Sequence, residues 1–475
     1  MIFNSLEFLL FFPLVAAIYF GMAPRWRWLL LLIASYCFYS YWNNWYLLII
    51  LFSTLVDYTT GVQIEKTKNK KGKRMILYAS IFLNLGMLFF FKYFNFFFDQ
   101  IAQLADFFGT SFTGVEHSLA LPLGISFFTF QTMSYSIDVY KGRIKAERHI
   151  GKYALYVSFF AQLAAGPIER AKSLLPQFHG KFKFDYKRVV EGLQLILWGF
   201  FKKLVIADRL SQYVQEVYQN PESYQGATIW LATAFFIIQI FCDFSAYSDM
   251  AIGTARILGI KLSLNFGHSP YFETSFTQFW EKWHITLTRW VRDYLYMPLA
   301  RIFRKPWQRP WLWLVVFLLI GLWHGANWTF MVWGGLNGLY LVFENWWQQK
   351  NILNNQGLSD SWLKKGASSV LVFSLTAFSA VFFVADSIPT AFTLLERSMT
   401  FSTQNIFLFG EWNFGINGLL ILFLEWMHYK MKDQQIYEFL VGWNTFQRWP
   451  FYILTLNAIL FLSYFSKVDF IYFDF

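Results

Sequence analysis

Apolar residues run in blocks of bilayer length along nearly the whole chain, and short clusters of charge separate them. A helix needs about 20 predominantly apolar residues to cross a hydrocarbon core of about 30 Å. By that measure the pattern predicts spans near 5–22, 28–42, 44–62, 75–95, 121–140, 153–166, 190–207, 228–250, 311–323, 327–343, 368–386, 413–428 and 450–466. A transmembrane β-barrel would show short alternating segments instead, and the chain does not read that way. The expectation is an all-α polytopic membrane protein with about 11–13 transmembrane helices. The first block is not followed by a small-residue cleavage site, so it reads as a retained helix rather than a signal peptide. No internal repeat stands out, and residues 1–475 read as a single integral membrane domain.

Some stretches break this rhythm. Residues 311–343 contain no Asp, Glu, Lys or Arg. One helix of that length would measure about 50 Å, too long for the core, so a break is expected. Gly321, Gly325, Gly334 and Gly335 offer places for it, and a break near "HGAN" would leave His324 at a helix end deep in the membrane region. Residues 167–189 and 265–310 carry too many charges for a span and too many aromatics for a free loop. The first predicts surface or interfacial helices and loops, and the second short interfacial or re-entrant helices buried within the protein. Residues 348–366 are polar and read as a loop.

Charge then orients the blocks. The formal net charge is +11, but Lys and Arg gather in the cytoplasmic loops of membrane proteins. "IEKTKNKKGKR", residues 64–74, and "KGRIKAERHIGK", residues 141–152, are expected inside, and Arg25 and Arg27 mark an inside loop two crossings before the first of these. That parity places the N-terminus outside. No nucleic-acid recognition motif accompanies the charge, so nucleic-acid binding is not expected. Cys37 and Cys242 lie in apolar context and form no framework or metal motif.

Several polar constellations interrupt the apolar blocks. His324 stands in "GLWHGANWTFMVWGG", residues 321–335, with Asn327 and Thr329 close by. A histidine in hydrocarbon should face the bundle interior or a wet cavity; the plainer reading is a helix-packing histidine bonded to a neighbour. In "FWEKWHITLTRWVRDYLYMP", residues 279–298, Glu281, His284 and Thr288 share one face if the stretch is a single helix. A salt-bridged interfacial helix explains Glu281, Lys282 and Arg289 as well. A second imidazole in an aromatic setting points instead to acid–base work. A metal wants three or more ligands at suitable spacing, and neither HxxxH nor HExxH occurs, so no metal is expected.

Asp243 and Asp249 interrupt the apolar run of "QIFCDFSAYSDMAIGTARILG", residues 239–259. Intramembrane carboxylates mark a functional path or a buried pair. Arg256 is two turns from Asp249, too far for a direct pair, and Ser245, Tyr247 and Ser248 offer local partners. In "LPLGISFFTFQTMSYSIDVYKG", residues 121–142, Gln131, Ser134 and Asp138 read as interhelical hydrogen-bonding residues.

Together these stretches, with "GPIER" at residues 166–170 and the closing "FIYFDF", resemble the membrane-bound O-acyltransferase family in its bacterial, alginate O-acetyltransferase-like branch. The resemblance runs through nearly all the chain. Ala246, Asn337 and Val384 depart from residues common in that branch, and none of them touches the histidines.

The resemblance implies a fold of helices around a central tunnel through a locally thinned core. His324 maps to the principal catalytic histidine and His284 to the second. It implies transfer of an acetyl group from cytoplasmic acetyl-CoA, with His324 as general base and a transient acyl-histidine as the alternative route. His284 would orient the acyl group or stabilise developing charge, and Asn327, Asp243 and Asp249 are supporting candidates. The cofactor-contacting residues stay unassigned. The implied setting is multi-pass in a bacterial inner membrane. An extracytoplasmic partner of serine–histidine hydrolase (SGNH) type would take up the group and pass it to a cell-surface polysaccharide. Transfer of D-alanine or another acyl group to a teichoic acid or lipid is a rival, as is a proton-coupled transporter.

Overall fold

The computed structural model describes residues 1–110, 121–163, 166–305, 307–353, 362–432, 434–464 and 470–471. Among the described residues the chain is helical and holds no strand. It divides into two compact units: Met1–Ile196 with Met250–Ser263, and Leu197–Asp249 with Leu264–Phe475.

Among the described residues four helices are long and apolar enough to cross a membrane: Tyr46–Lys66, Lys70–Phe107, Ala227–Leu258 and Trp362–Val384. Leu6–Gly21 is a shorter apolar helix. Several other expected spans are interrupted. Residues 190–207 belong to a helix Tyr186–Phe200 that widens into a π-helical turn at Phe201–Ala207 and continues as Asp208–Gln219.

Within the expected span 153–166, of which 164 and 165 lie outside the described residues, residues 153–163 are not one helix. They form Ile150–Ser158 and the single turn Phe160–Leu163, separated by Phe159. Tyr153, Leu155, Tyr156, Val157, Phe159 and Phe160 are all fully buried. A segment enclosed by protein on every side reads as apolar as one facing lipid, which is why the pattern misled.

In the first unit the polar residues of 121–142 do what hydrogen-bonding residues between packed segments should. The Gln131 side chain donates to the Tyr156 carbonyl at 2.7 Å, and Asp138 pairs with Arg143 at 3.0 Å. Asp57, fully buried in Tyr46–Lys66, accepts from Ser80 at 2.7 Å, Asn84 at 2.8 Å and Ser136 at 2.5 Å. Arg256 is paired with Glu191 at 2.7 Å.

In the second unit residues 265–310 form short pieces, as expected. Phe276–Lys282, Ile285–Val291 and Met297–Ile302 are each too short to span. A π-helical turn at Arg292–Tyr296 joins the last two. The polar stretch 348–366 is helical up to Leu353 and again from Trp362, so it is less of a loop than its composition implies. Residues 354–361 lie outside the described residues, as does most of "FIYFDF".

Candidate active site

The position of His324 is set by a helical hairpin. Gln308–His324 ends where Gly325 turns extended, so His324 is its last residue, at the break expected near "HGAN". Asn327 then starts the helix Trp328–Leu353. Its side-chain oxygen accepts the Thr329 N–H at 3.1 Å, and its amide donates to the Asp386 carbonyl at 2.9 Å. The two helices meet backbone to backbone. A side chain at Gly321 would strike the Phe330 carbonyl, and one at Gly334 the Phe317 carbonyl. Small residues at such contacts are how membrane helices pack closely. At Gly325 the need is also for space, because a Cβ there would enter the Phe330 ring.

His324 is 4% exposed and caged by aromatics: Trp323 at 4.9 Å, Trp333 at 5.0 Å and Phe383 at 5.3 Å between ring centroids. Trp323 also stands 6.4 Å from the His284 ring, so one indole contacts both imidazoles.

His284 is 1% exposed and sits at the start of Ile285–Val291 in a left-handed conformation, φ 42° and ψ 54°. For a residue with a side chain this costs about 1–3 kcal/mol and persists only where the surroundings impose it. Asn265 imposes it here. Its carbonyl accepts the Ile285 N–H at 2.8 Å, and its side-chain oxygen lies 3.1 Å from His284 Nδ1. Phe244 packs edge-on against the ring at 4.7 Å. His284 lies outside the membrane-spanning helices; burial pushes its pKa down to about 3, so the ring is neutral at physiological pH.

The kink at Trp283–His284 breaks the single helical face expected for Glu281, His284 and Thr288. Phe276–Lys282 stops, Trp283 is extended, and a new helix begins. The three residues nevertheless border one cavity of about 720 Å³. His284 and His324 both line it, Trp280 and Phe317 form walls, and Arg289 and Glu344 add charge. The volume suits a small-molecule substrate arm. Asn327, Asp243 and Asp249 do not line this cavity.

A model of the membrane-bound O-acyltransferase family matches residues 103–385, a range that contains both histidines and the whole cavity wall. The chain belongs to that family. A probable alginate O-acetylase from Pseudomonas aeruginosa is 35% identical over 86% of this chain and 76% of its own length. A peptidoglycan O-acetyltransferase from Helicobacter pylori is 36% identical over 66% of this chain and 63% of its own. A teichoic acid D-alanyltransferase from Bacillus subtilis is more distant, 26% identical over 48% of this chain and 61% of its own. The protein is thus a membrane O-acyltransferase of the O-acetylating branch.

Elsewhere in this acyltransferase, Asp243 and Asp249 have partners that the sequence reading passed over. Lys203 lies 2.8 Å from Asp243 and 2.9 Å from Asp208, and Lys202 lies 2.8 Å from Asp249. Ser245, Tyr247 and Ser248 are the local partners that the sequence offers the acids; Ser245 instead accepts from Lys202 at 2.8 Å. Asp243 also takes the Ile471 N–H at 2.9 Å. Six positions on one helix separate the two residues by about 9 Å along its axis, one for each of two adjacent lysines. Two lysines inside an apolar run were the available signal. Asn265 gave none, standing in an ordinary loop sequence. Among the described residues no group of three His, Cys, Asp or Glu side chains is gathered as a metal would require.

Proposed function

We propose that this acyltransferase moves an acetyl group from cytoplasmic acetyl-CoA through the cavity, as part of a tunnel, to a hydroxyl on the far side. The observation that carries the reading is that both histidines line one cavity whose border also bears Arg289 and Arg292. These arginines belong to a basic stretch, residues 282–309, of the kind that stays in the cytoplasm. Guanidinium groups suit the phosphates of a coenzyme A thioester.

In the transfer His324 takes the proton of the acceptor hydroxyl as its oxygen attacks the thioester carbonyl. The carbon–sulfur bond then breaks, and the leaving thiolate recovers a proton from the imidazolium. His284 supports this step. The alternative in which the imidazole itself carries the acetyl group differs only in its first acceptor. The relatives' names favour a polysaccharide as final acceptor. An extracytoplasmic partner of SGNH-hydrolase type would receive the group, and the whole chain would act as one multi-pass domain in a bacterial inner membrane.

The test is thioester turnover by the purified protein with radiolabelled acetyl-CoA, comparing wild type with His324→Ala. Release of CoA by the wild type and its loss in the variant support the reading, and label retained on wild-type protein favours the acyl-histidine route. Equal turnover in both proteins removes His324 from the chemistry. D-alanyl transfer predicts instead that acetyl-CoA is ignored and a D-alanyl thioester consumed.

A further inference from the structure

We infer that Asn265 is a positioning residue that fixes the tautomer of His284, with the hydrogen on Nδ1 and the lone pair on Nε2. Its use in catalysis rests on the reading above, in which His284 serves the transfer; the tautomer itself does not.

Asn265 is 1% exposed. Its side-chain oxygen meets three groups: the Thr286 N–H at 3.2 Å, the Thr286 hydroxyl at 2.8 Å and His284 Nδ1 at 3.1 Å. A backbone N–H can only donate, so the atom facing Thr286 must be the amide oxygen. The flipped amide would set an NH₂ against that N–H. The amide nitrogen has its own acceptor in the Ser248 hydroxyl, at 3.3 Å. With the oxygen so fixed, His284 Nδ1 must be the donor of the pair, because an amide oxygen only accepts. A neutral imidazole with hydrogen on Nδ1 carries its lone pair on Nε2.

Asn265 does not line the cavity and His284 does, so the amide holds the ring from the wall. The nitrogen on the far side of the ring from Asn265 is then an acceptor. An acceptor orients a hydroxyl or thiol that donates to it. It does not stabilise an oxyanion, which would need an N–H. The arrangement thus narrows the two roles open to His284 to that of orienting a donor.

The test has two independent readouts. Solid-state NMR of the full-length protein in liposomes, with ¹⁵N-labelled histidine and the His284 signals assigned through His284→Gln, reports the tautomer directly. Protonated Nδ1 with bare Nε2 is expected in the wild type and in Asn265→Asp; hydrogen on Nε2 in the wild type overturns the inference. This spectrum needs no Asn265 variant, so misfolding of one does not spoil it.

The second readout is steady-state turnover. Asn265→Leu should lower kcat on the order of tenfold to a hundredfold with KM nearly unchanged, by analogy with the hydrogen-bond partners of metal-bound histidines. Asn265→Asp, which keeps an acceptor, should recover most of it. A folded Asn265→Leu with wild-type kcat, or an Asn265→Asp as impaired as the leucine variant, overturns the positioning role. Should His284→Gln turn over like wild type, the reading of His284 as a participant fails, while the spectrum still decides the tautomer.

Discussion

Two sets of buried polar side chains in the second unit look alike in sequence and differ in structure. Lys202, Lys203, Asp208, Asp243 and Asp249 answer one another at 2.8–2.9 Å. Where Lys202 and Asp249 border a cavity, it measures about 20 Å³, room for about one water. His284 and His324 border about 720 Å³. Intramembrane ionisable groups are functional candidates by default, but that default does not separate these two sets. Space for a substrate separates them. The lysine–aspartate set closes on itself, whereas both histidines line a cavity with room for a substrate, and Asn265 holds His284 in place.

The sharpest way to break this contrast is at His324. His324→Ala should cost about 10²–10⁴-fold in CoA release, the usual weight of a general base, with an unchanged thermal unfolding midpoint. A large loss of stability would make His324 a packing residue after all. Lys203→Met should do the reverse. Leaving two buried carboxylates without their cation should destabilise the protein by about 3–5 kcal/mol, read as a lower unfolding midpoint, while turnover per folded molecule holds. Adding Asp208→Asn and Asp243→Asn should restore most of the midpoint; failure to do so would mean that the charges matter beyond their pairing.

Gly334→Val tests the hairpin that presents His324. The added side chain meets the Phe317 carbonyl, an overpacking expected to cost about 1–3 kcal/mol and to lower turnover as well, because the helix end carrying His324 is displaced. The smallest effect belongs to Asn327→Ala. Loss of a helix cap should cost about 1 kcal/mol with little change in turnover per folded enzyme. A marked fall in kcat there would return Asn327 to the site.

The apolar blocks made the helical membrane fold legible, because bilayer thickness sets a length that sequence must meet. They also made His324 legible, since a titratable group in a long uncharged run is conspicuous. Apolarity could not tell lipid from protein interior, and residues 153–166 were misread for that reason. Helical spacing put Glu281 and His284 on one face. The left-handed turn at His284 is imposed by contacts from Asn265, nineteen positions earlier, and no local pattern announces it. Asp243 and Asp249 stood out, but their lysine partners lie some forty residues away and were absorbed into an apolar run.

The hairpin has a consequence for anyone who would block this enzyme. Phe317, Ile320, His324 and Leu341 give the cavity one wall, and behind it the helices touch at Gly321 and Gly334, where any side chain collides with main chain. An organism escaping an inhibitor that leans on that wall has few substitutions to try there. Resistance should therefore arise on the opposite side, among the short helices around Arg289, and a compound that ignores that side would be the harder one to evade.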